Sequence, residues 1–163
     1  CNYDDSVSLF RNYCAAVENF GELVEEGKKL GVKVAVYNCD WTNFVHRGEH
    51  WKVVLGELPE LMIKYDCSHS YGRGQDYLGE LNEWMPRVVH MHIKGTTCIN
   101  RQHVDAPPAG LDSIAWSTVF ALIYRYGYDG GLSIEPHSSV WQGELGERGV
   151  DFTIDFVRRY MLR

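Results

Sequence analysis

The chain lacks any apolar run near the roughly 18 residues that a bilayer-crossing helix needs. It also lacks a basic excess. Its 16 Lys and Arg stand against 22 Asp and Glu, for a formal net charge of −6, which speaks against a nucleic-acid surface and its basic stripe. Five cysteines, an odd number with no C-x-x-C pair, argue against a disulfide framework or a structural zinc knuckle. Reduced thiols in a cytoplasmic protein are the expectation. The opening CNYDDS carries neither the basic nor the apolar segment of a secretory leader, and it begins without Met, so upstream sequence is expected. Beyond an alternation of strands and helices there is no repeat, linker or low-complexity segment. The 163 residues, 45% apolar, suit one domain with a substantial core.

Four short apolar runs are present: KVAVYN (33–38), LMIKYD (61–66), VVHMHIK (88–94) and GLSIEPH (131–137). Each ends in a side chain able to bind a metal or move a proton. The apolar period of Val7, Phe10, Tyr13, Cys14, Val17, Phe20, Leu23 and Val24 predicts a helix over about 7–29, capped by Ser6 or Asp5. Further helices are expected at 49–57, 75–84, 115–126 and 148–161. Strands are expected at 32–36, 61–65, 87–93 and 131–135. The intervening 37–48, 66–74, 94–113 and 136–146 read as loops. Strands alternating with helices imply a parallel sheet, and four to five β/α units make about half of an eight-stranded barrel. The fold class is therefore α/β, the chain being a partial barrel of 1–163 whose open edges a missing N-terminal half or a second copy would cover.

In parallel α/β folds the chemistry gathers at the carboxyl ends of strands. Asp66, His92 and Glu135 stand at three such ends, a mixed nitrogen and oxygen set suited to Mn²⁺, Mg²⁺, Co²⁺ or Zn²⁺. Strand alternation puts His90, His92 and Lys94 on one face, Met62, Lys64 and Asp66 on another strand's equivalent face, and Ser133 with Glu135 on a third. His69, three residues beyond Asp66, is a candidate for substrate contact or proton transfer. His90 reads as an interior histidine bonded beside His92. Lys64 and Lys94 could each hold an oxyanion or pair with Asp66 and Glu135. Trp41, Phe44, Tyr71 and Trp141 fall in loops at the ligand-bearing end, where aromatic walls suit sugar C–H faces. Cys39 and Cys67 border the site without a base at fixed spacing, so a nucleophilic thiol is not expected.

The stretches KYDCSH (64–69), RVVHMHIKG (87–95), AGLDSIAW (109–116) and GYDGGLSIEPH (127–137) resemble the carboxyl-terminal half of the sugar phosphate isomerase/epimerase family, the xylose isomerase-like TIM barrels. That group includes tagatose and psicose 3-epimerases, inosose dehydratase and endonuclease IV. The resemblance implies a divalent metal held by a Glu, an Asp, a His and a second Glu, matched here at Asp66, His92 and Glu135. Tyr37 stands where the first Glu would be, which puts two-base epimerisation in doubt and leaves Asn38 or Asp40 to reach in. It further implies His69 as a substrate-contacting histidine, and the reading of the residues adds Glu135, His69 and Lys94 as catalytic groups and Asn38, Trp41, Lys64 and Trp141 as further substrate contacts. The reaction implied is proton abstraction next to the carbonyl of a sugar or keto-sugar by an isomerase, epimerase or lyase. A sugar-binding barrel that has lost catalysis is the alternative that Tyr37 raises. The acidic balance disfavours a nuclease.

Overall fold

A computed structural model describes residues 1–162. Its central sheet has four parallel strands in spatial order β1 (Ala35–Tyr37), β2 (Met62–Asp66), β3 (Val88–Ile93) and, at the far edge, β6 (Gly131–Ile134). Helices α1 (Leu9–Leu30), α2 (Gly48–Glu57), α4 (Tyr77–Trp84), α5 (Trp116–Arg125) and α6 (Gly143–Arg158) make up the rest of the β/α alternation. The short α3 (Cys67–Gly72) directly follows β2. This is the half-barrel expected, with β1 and β6 at its two edges. No helix among the described residues is long and apolar enough to cross a membrane.

One face of the sheet is apolar because alternate residues of each strand point there. Val36, Ile63, Tyr65, Met91 and Ile93 are all nearly inaccessible and pack with Trp51, Leu55, Leu81 and Val119 of the helices. The same alternation sends Tyr37, Lys64, Asp66, His90, His92 and Ser133 to the other face. Parallel register aligns them: Tyr37 beside Lys64, Lys64 beside His90, Asp66 beside His92 and His92 beside Ser133.

Several element boundaries depart from expectation. The first strand begins at Ala35 rather than at 32, because Val32 donates its amide to Gly27 and closes the turn after α1. The cap of α1 is Ser8, whose hydroxyl accepts from Arg11 N at 3.3 Å, not Ser6 or Asp5; those two are engaged in a local turn in which Asp4 accepts from Ser6. The segment after Asp66 is a helix rather than a loop, because the Asp66 carboxylate caps it by accepting from Ser68 N at 2.8 Å. The long segment 94–113 contains an antiparallel hairpin, β4 (Thr97–Ile99) with β5 (Gln102–Asp105), turned at Asn100 and Arg101, both left-handed. The final helix starts at Gly143, five residues before the expected 148.

Two devices tie the long segment to the end of β3. Asp112 accepts from the amides of Thr96 and Gly110 and from the indole of Trp116. Gly95 allows the backbone of Pro107 to pass so near that a Cβ there would lie 2.0 Å from its carbonyl oxygen. Lys94 is thereby held at the strand end.

Candidate functional site

The carboxyl ends of β1, β2, β3 and β6 converge on one point, the hydroxyl of Tyr37. It lies 3.2 Å from Asp66 Oδ2, 3.2 Å from His69 Nε2, 3.2 Å from His92 Nδ1 and 3.4 Å from Glu135 Oε2. The Lys94 ammonium completes the group, 3.1 Å from Asp66 Oδ2, 3.8 Å from Glu135 Oε2 and 3.2 Å from His69 Nε2. An ammonium has only donors, so Nε2 of His69 is the acceptor there and carries no proton. Its other neighbour, the Tyr37 hydroxyl, can donate its single proton to only one of its partners at a time. His92 Nδ1 bonds Glu135 Oε2 directly.

Asp66 is fully buried and has both oxygens in use, Oδ1 on Ser68 and Oδ2 on Lys94 and Tyr37. A buried carboxylate persists only when paired in this way. Burial pushes Glu135 upward, but the Lys94 and His92 charges beside it win and hold its carboxyl below the ordinary range. Burial keeps His69 below its ordinary value against the pull of Asp66, so its ring is neutral near pH 7. Burial, then the Asp66 and Glu135 charges, drives the Tyr37 phenol far upward.

The group opens into a cavity of about 690 Å³ lined by Tyr37, Cys39, Asp40, Trp41, His69, Lys94, Glu135 and His137, among others. That is ample for a small ligand. A second cavity of about 450 Å³ lies on the helix-covered side of β6 and is walled mainly by Phe120, Ile123, Leu132, Ile134, Ile154 and Val157. None of the clustered acid–base groups reaches it.

The donor chemistry fits a divalent ion with three protein ligands. Ligand atoms of Asp66, His92 and Glu135 lie within 4.8 Å of one another. With both imidazoles in their neutral form, as metal ligation of His92 requires, two carboxylates and one ammonium leave a net negative charge for a cation to offset. Such an ion would take His92 Nδ1 in place of its proton and would require the Tyr37 hydroxyl to move or to join the ligands.

Asp66, His69, His92, Lys94 and Glu135 thus come together. Lys64 does not enter the group; its ammonium stands 4.0 Å over the ring of Tyr37, in a cation–π contact one layer below. His90 donates to or accepts from Ser133 Oγ at 2.9 Å and packs edge-on against His92. Asn38 is not a substrate contact. Its amide is fully buried, donating to Asp66 O and accepting from Asp66 N, both at 2.8 Å, and so staples the end of β1 to the end of β2. Trp41 is 82% exposed on the cavity rim. Trp141 packs against Gly149 in an adjoining cleft with Pro107, Pro108 and Glu135 and does not line the cavity itself. Phe44 packs on Tyr3, Tyr13 and His50, and Tyr71 packs on Tyr77.

Sequence reasoning missed the central place of the Tyr37 hydroxyl and the company Cys39 keeps. Asp40 and His69 each offer a donor atom within 4.8 Å of the Cys39 thiol. The signals at hand were Cys39 at the site border beside Asp40 and His69 three residues beyond Asp66; the unforeseen α3 is what brings them together.

The sequence profile described as xylose isomerase-like TIM barrel matches residues 4–160. Over 82 residues, 50% of this chain and 26% of the relative, the chain is 30% identical to an inosose dehydratase of Lactiplantibacillus plantarum. Among solved structures it superposes on an IolI protein holding a zinc atom (TM-score 0.77, 15% identity, 100% of this chain and 62% of that one). A D-psicose 3-epimerase of Clostridium cellulolyticum, solved with D-tagatose, gives TM-score 0.74 at 15% identity, over 98% and 60%. A probable 3-DHS dehydratase of Bacillus anthracis gives 0.68 at 16%, over 87% and 55%. At such identities the likeness is one of fold, and this chain spans little more than half of each of these structures.

Proposed function

The chain belongs to the xylose isomerase-like TIM barrel family, and from that premise we propose that it carries the acid–base face of a sugar isomerase, epimerase or related lyase. The single observation behind this reading is the convergence of Asp66, His69, His92, Lys94 and Glu135, from three strand ends and a helix, on one point at the wall of a ligand-sized cavity.

Glu135, ionised and facing the cavity, removes the proton from the carbon next to a substrate carbonyl. The electron pair moves to the carbonyl oxygen, where the Lys94 ammonium offsets the growing negative charge. Neutral His69 is the second group able to take or return a proton. Tyr37, held protonated by its surroundings, is a donor and cannot replace Glu135 as a base. A divalent ion at Asp66, His92 and Glu135 would polarise the carbonyl. The zinc and the keto-sugar named for two structural neighbours support that class of ion and substrate.

A second reading, a sugar-binding barrel without turnover, is favoured by one observation: the Tyr37 hydroxyl fills the space among the three donors. Metal analysis joined to a keto-sugar panel separates the two. The enzyme reading expects a stoichiometric divalent ion and conversion of at least one sugar that Glu135→Gln abolishes. Sugar binding indifferent to chelators, with no conversion of any panel member, overturns it in favour of the second.

A further inference from the structure

Beside the group around Tyr37, and sharing His69 with it, the cavity holds another set of donors. The Cys39 thiol, a carboxylate oxygen of Asp40 and a ring nitrogen of His69 lie within 4.8 Å of one another and line the same cavity. Among the described residues no hydrogen bond or salt bridge engages the thiol or the Asp40 carboxylate, whose charge acts through space on His69 and Arg73.

Their carriers are rigidly joined. Asn38 is bonded to both backbone groups of Asp66, immediately before α3 and His69. Beyond it, the Asn43 side chain donates to the carbonyls of Tyr37 and Cys39 at 2.7 and 3.1 Å, drawing residues 37–43 into a tight turn with Thr42 left-handed. Arg73 closes the arrangement from below by donating to Asn38 O at 3.0 Å. Cys39 and Asp40 therefore face His69 across a fixed gap.

From this geometry we propose that Cys39, Asp40 and His69 form a second cation site, separate from Asp66, His92 and Glu135, that takes a thiophilic divalent ion of the zinc class. Sulfur, imidazole and carboxylate together suit Zn²⁺ or Co²⁺ and do not suit Mg²⁺ or Ca²⁺, whereas the two carboxylates and one imidazole of the other group suit harder ions. Binding releases the thiol proton to solvent as the S–metal bond forms. The ion clips the loop that carries Trp41 to the first turn of α3. It also withdraws His69 from proton transfer and leaves Glu135 as the base. Ion binding at these three residues stands apart from the sugar reading; only the consequence for His69 and Glu135 rests on it.

Cobalt distinguishes the two sites, because a thiolate ligand gives a charge-transfer band in the near ultraviolet that nitrogen and oxygen ligands do not. Titrating the reduced, metal-free chain with Co²⁺ is expected to raise that band to a stoichiometric end point. Zn²⁺ should abolish it and Mg²⁺ should not. Cys39→Ser removes the band, and His69→Gln weakens affinity by at least about tenfold, both with unchanged far-ultraviolet circular dichroism. Asp66→Asn keeps the band, so failure of the other site is read separately. Absence of the band, its survival in Cys39→Ser through another cysteine such as exposed Cys1 or Cys14, or its loss in a folded Asp66→Asn overturns the proposal.

Discussion

The two faces of the sheet are built from alternate residues of the same strands and have opposite fates. On the helix-covered face, Val36, Ile63, Met91 and Ile93 are almost entirely removed from solvent by packing alone, and only the hydroxyl of their neighbour Tyr65 adds directed bonds, to Tyr77 and Glu80. On the open face, Tyr37, His69, His92, Lys94 and Glu135 are held by directed polar contacts to one another around a cavity. Apolar burial is non-directional and roughly additive in area, so it secures the scaffold without fixing where any one atom sits. Hydrogen bonds and ion pairs do the reverse: they fix atoms within tenths of an ångström and add modest net stability. Stability and chemistry are thus separated by a period of two along each strand.

The largest effect is expected from Glu135→Gln, which should lower turnover of a converted sugar by about 10²- to 10⁴-fold and leave the urea midpoint nearly unchanged. A large fall in midpoint would break the separation of the faces. Met91→Ala should do the opposite: it should destabilise the fold by about 2–5 kcal/mol in urea titration while the folded fraction keeps its turnover. Asn38→Ala tests the seam between the faces. Losing its three buried hydrogen bonds, two to Asp66 and one to Ser70, should cost about 1–3 kcal/mol and should also loosen divalent-ion binding, because Asp66 loses its tether; calorimetry reads both.

The smallest effect concerns pH. His50 is packed among Tyr13, Phe44 and His46. Burial first, then the neighbouring His46 and Arg47 charges, lowers it from 6.5 to about 4. Between those pH values the unfolded chain binds a proton that the folded chain refuses, so stability falls as pH drops through that window. His50→Phe should flatten the urea-midpoint slope there. An unchanged slope would show that other groups carry it.

The four strands of the parallel sheet and five of the helices were legible because apolar period and Gly or Pro punctuation are local signals. The strand-end trio was legible for the same reason: once VVHMHIK and GLSIE are strands, period two aligns His92 with Ser133 and places Glu135 just beyond. What escaped depends on side chains acting across the chain. Whether 66–74 is loop or helix turns on the Asp66 carboxylate bonding Ser68 N, and the hairpin at 97–105 turns on two left-handed residues that are not glycine. Asn38 looked like a polar residue at a site mouth, yet its partner 28 positions away makes it a staple. Trp141 sits beyond the cavity because α6 begins early and Gly149 lets the indole pack against it. The reach of Tyr37 could not be read from register, which sets it beside Lys64; the length of the phenol carries its hydroxyl a layer higher.

On the proposed function, the open face removes a proton next to a carbonyl. Nuclear magnetic resonance of keto-sugars incubated with the chain and Mn²⁺ in deuterated water tests it most directly. Deuterium appearing at the carbon beside the carbonyl with the wild-type chain, and not with Glu135→Gln, is the predicted result. No exchange on any sugar, or equal exchange by both proteins, would contradict it.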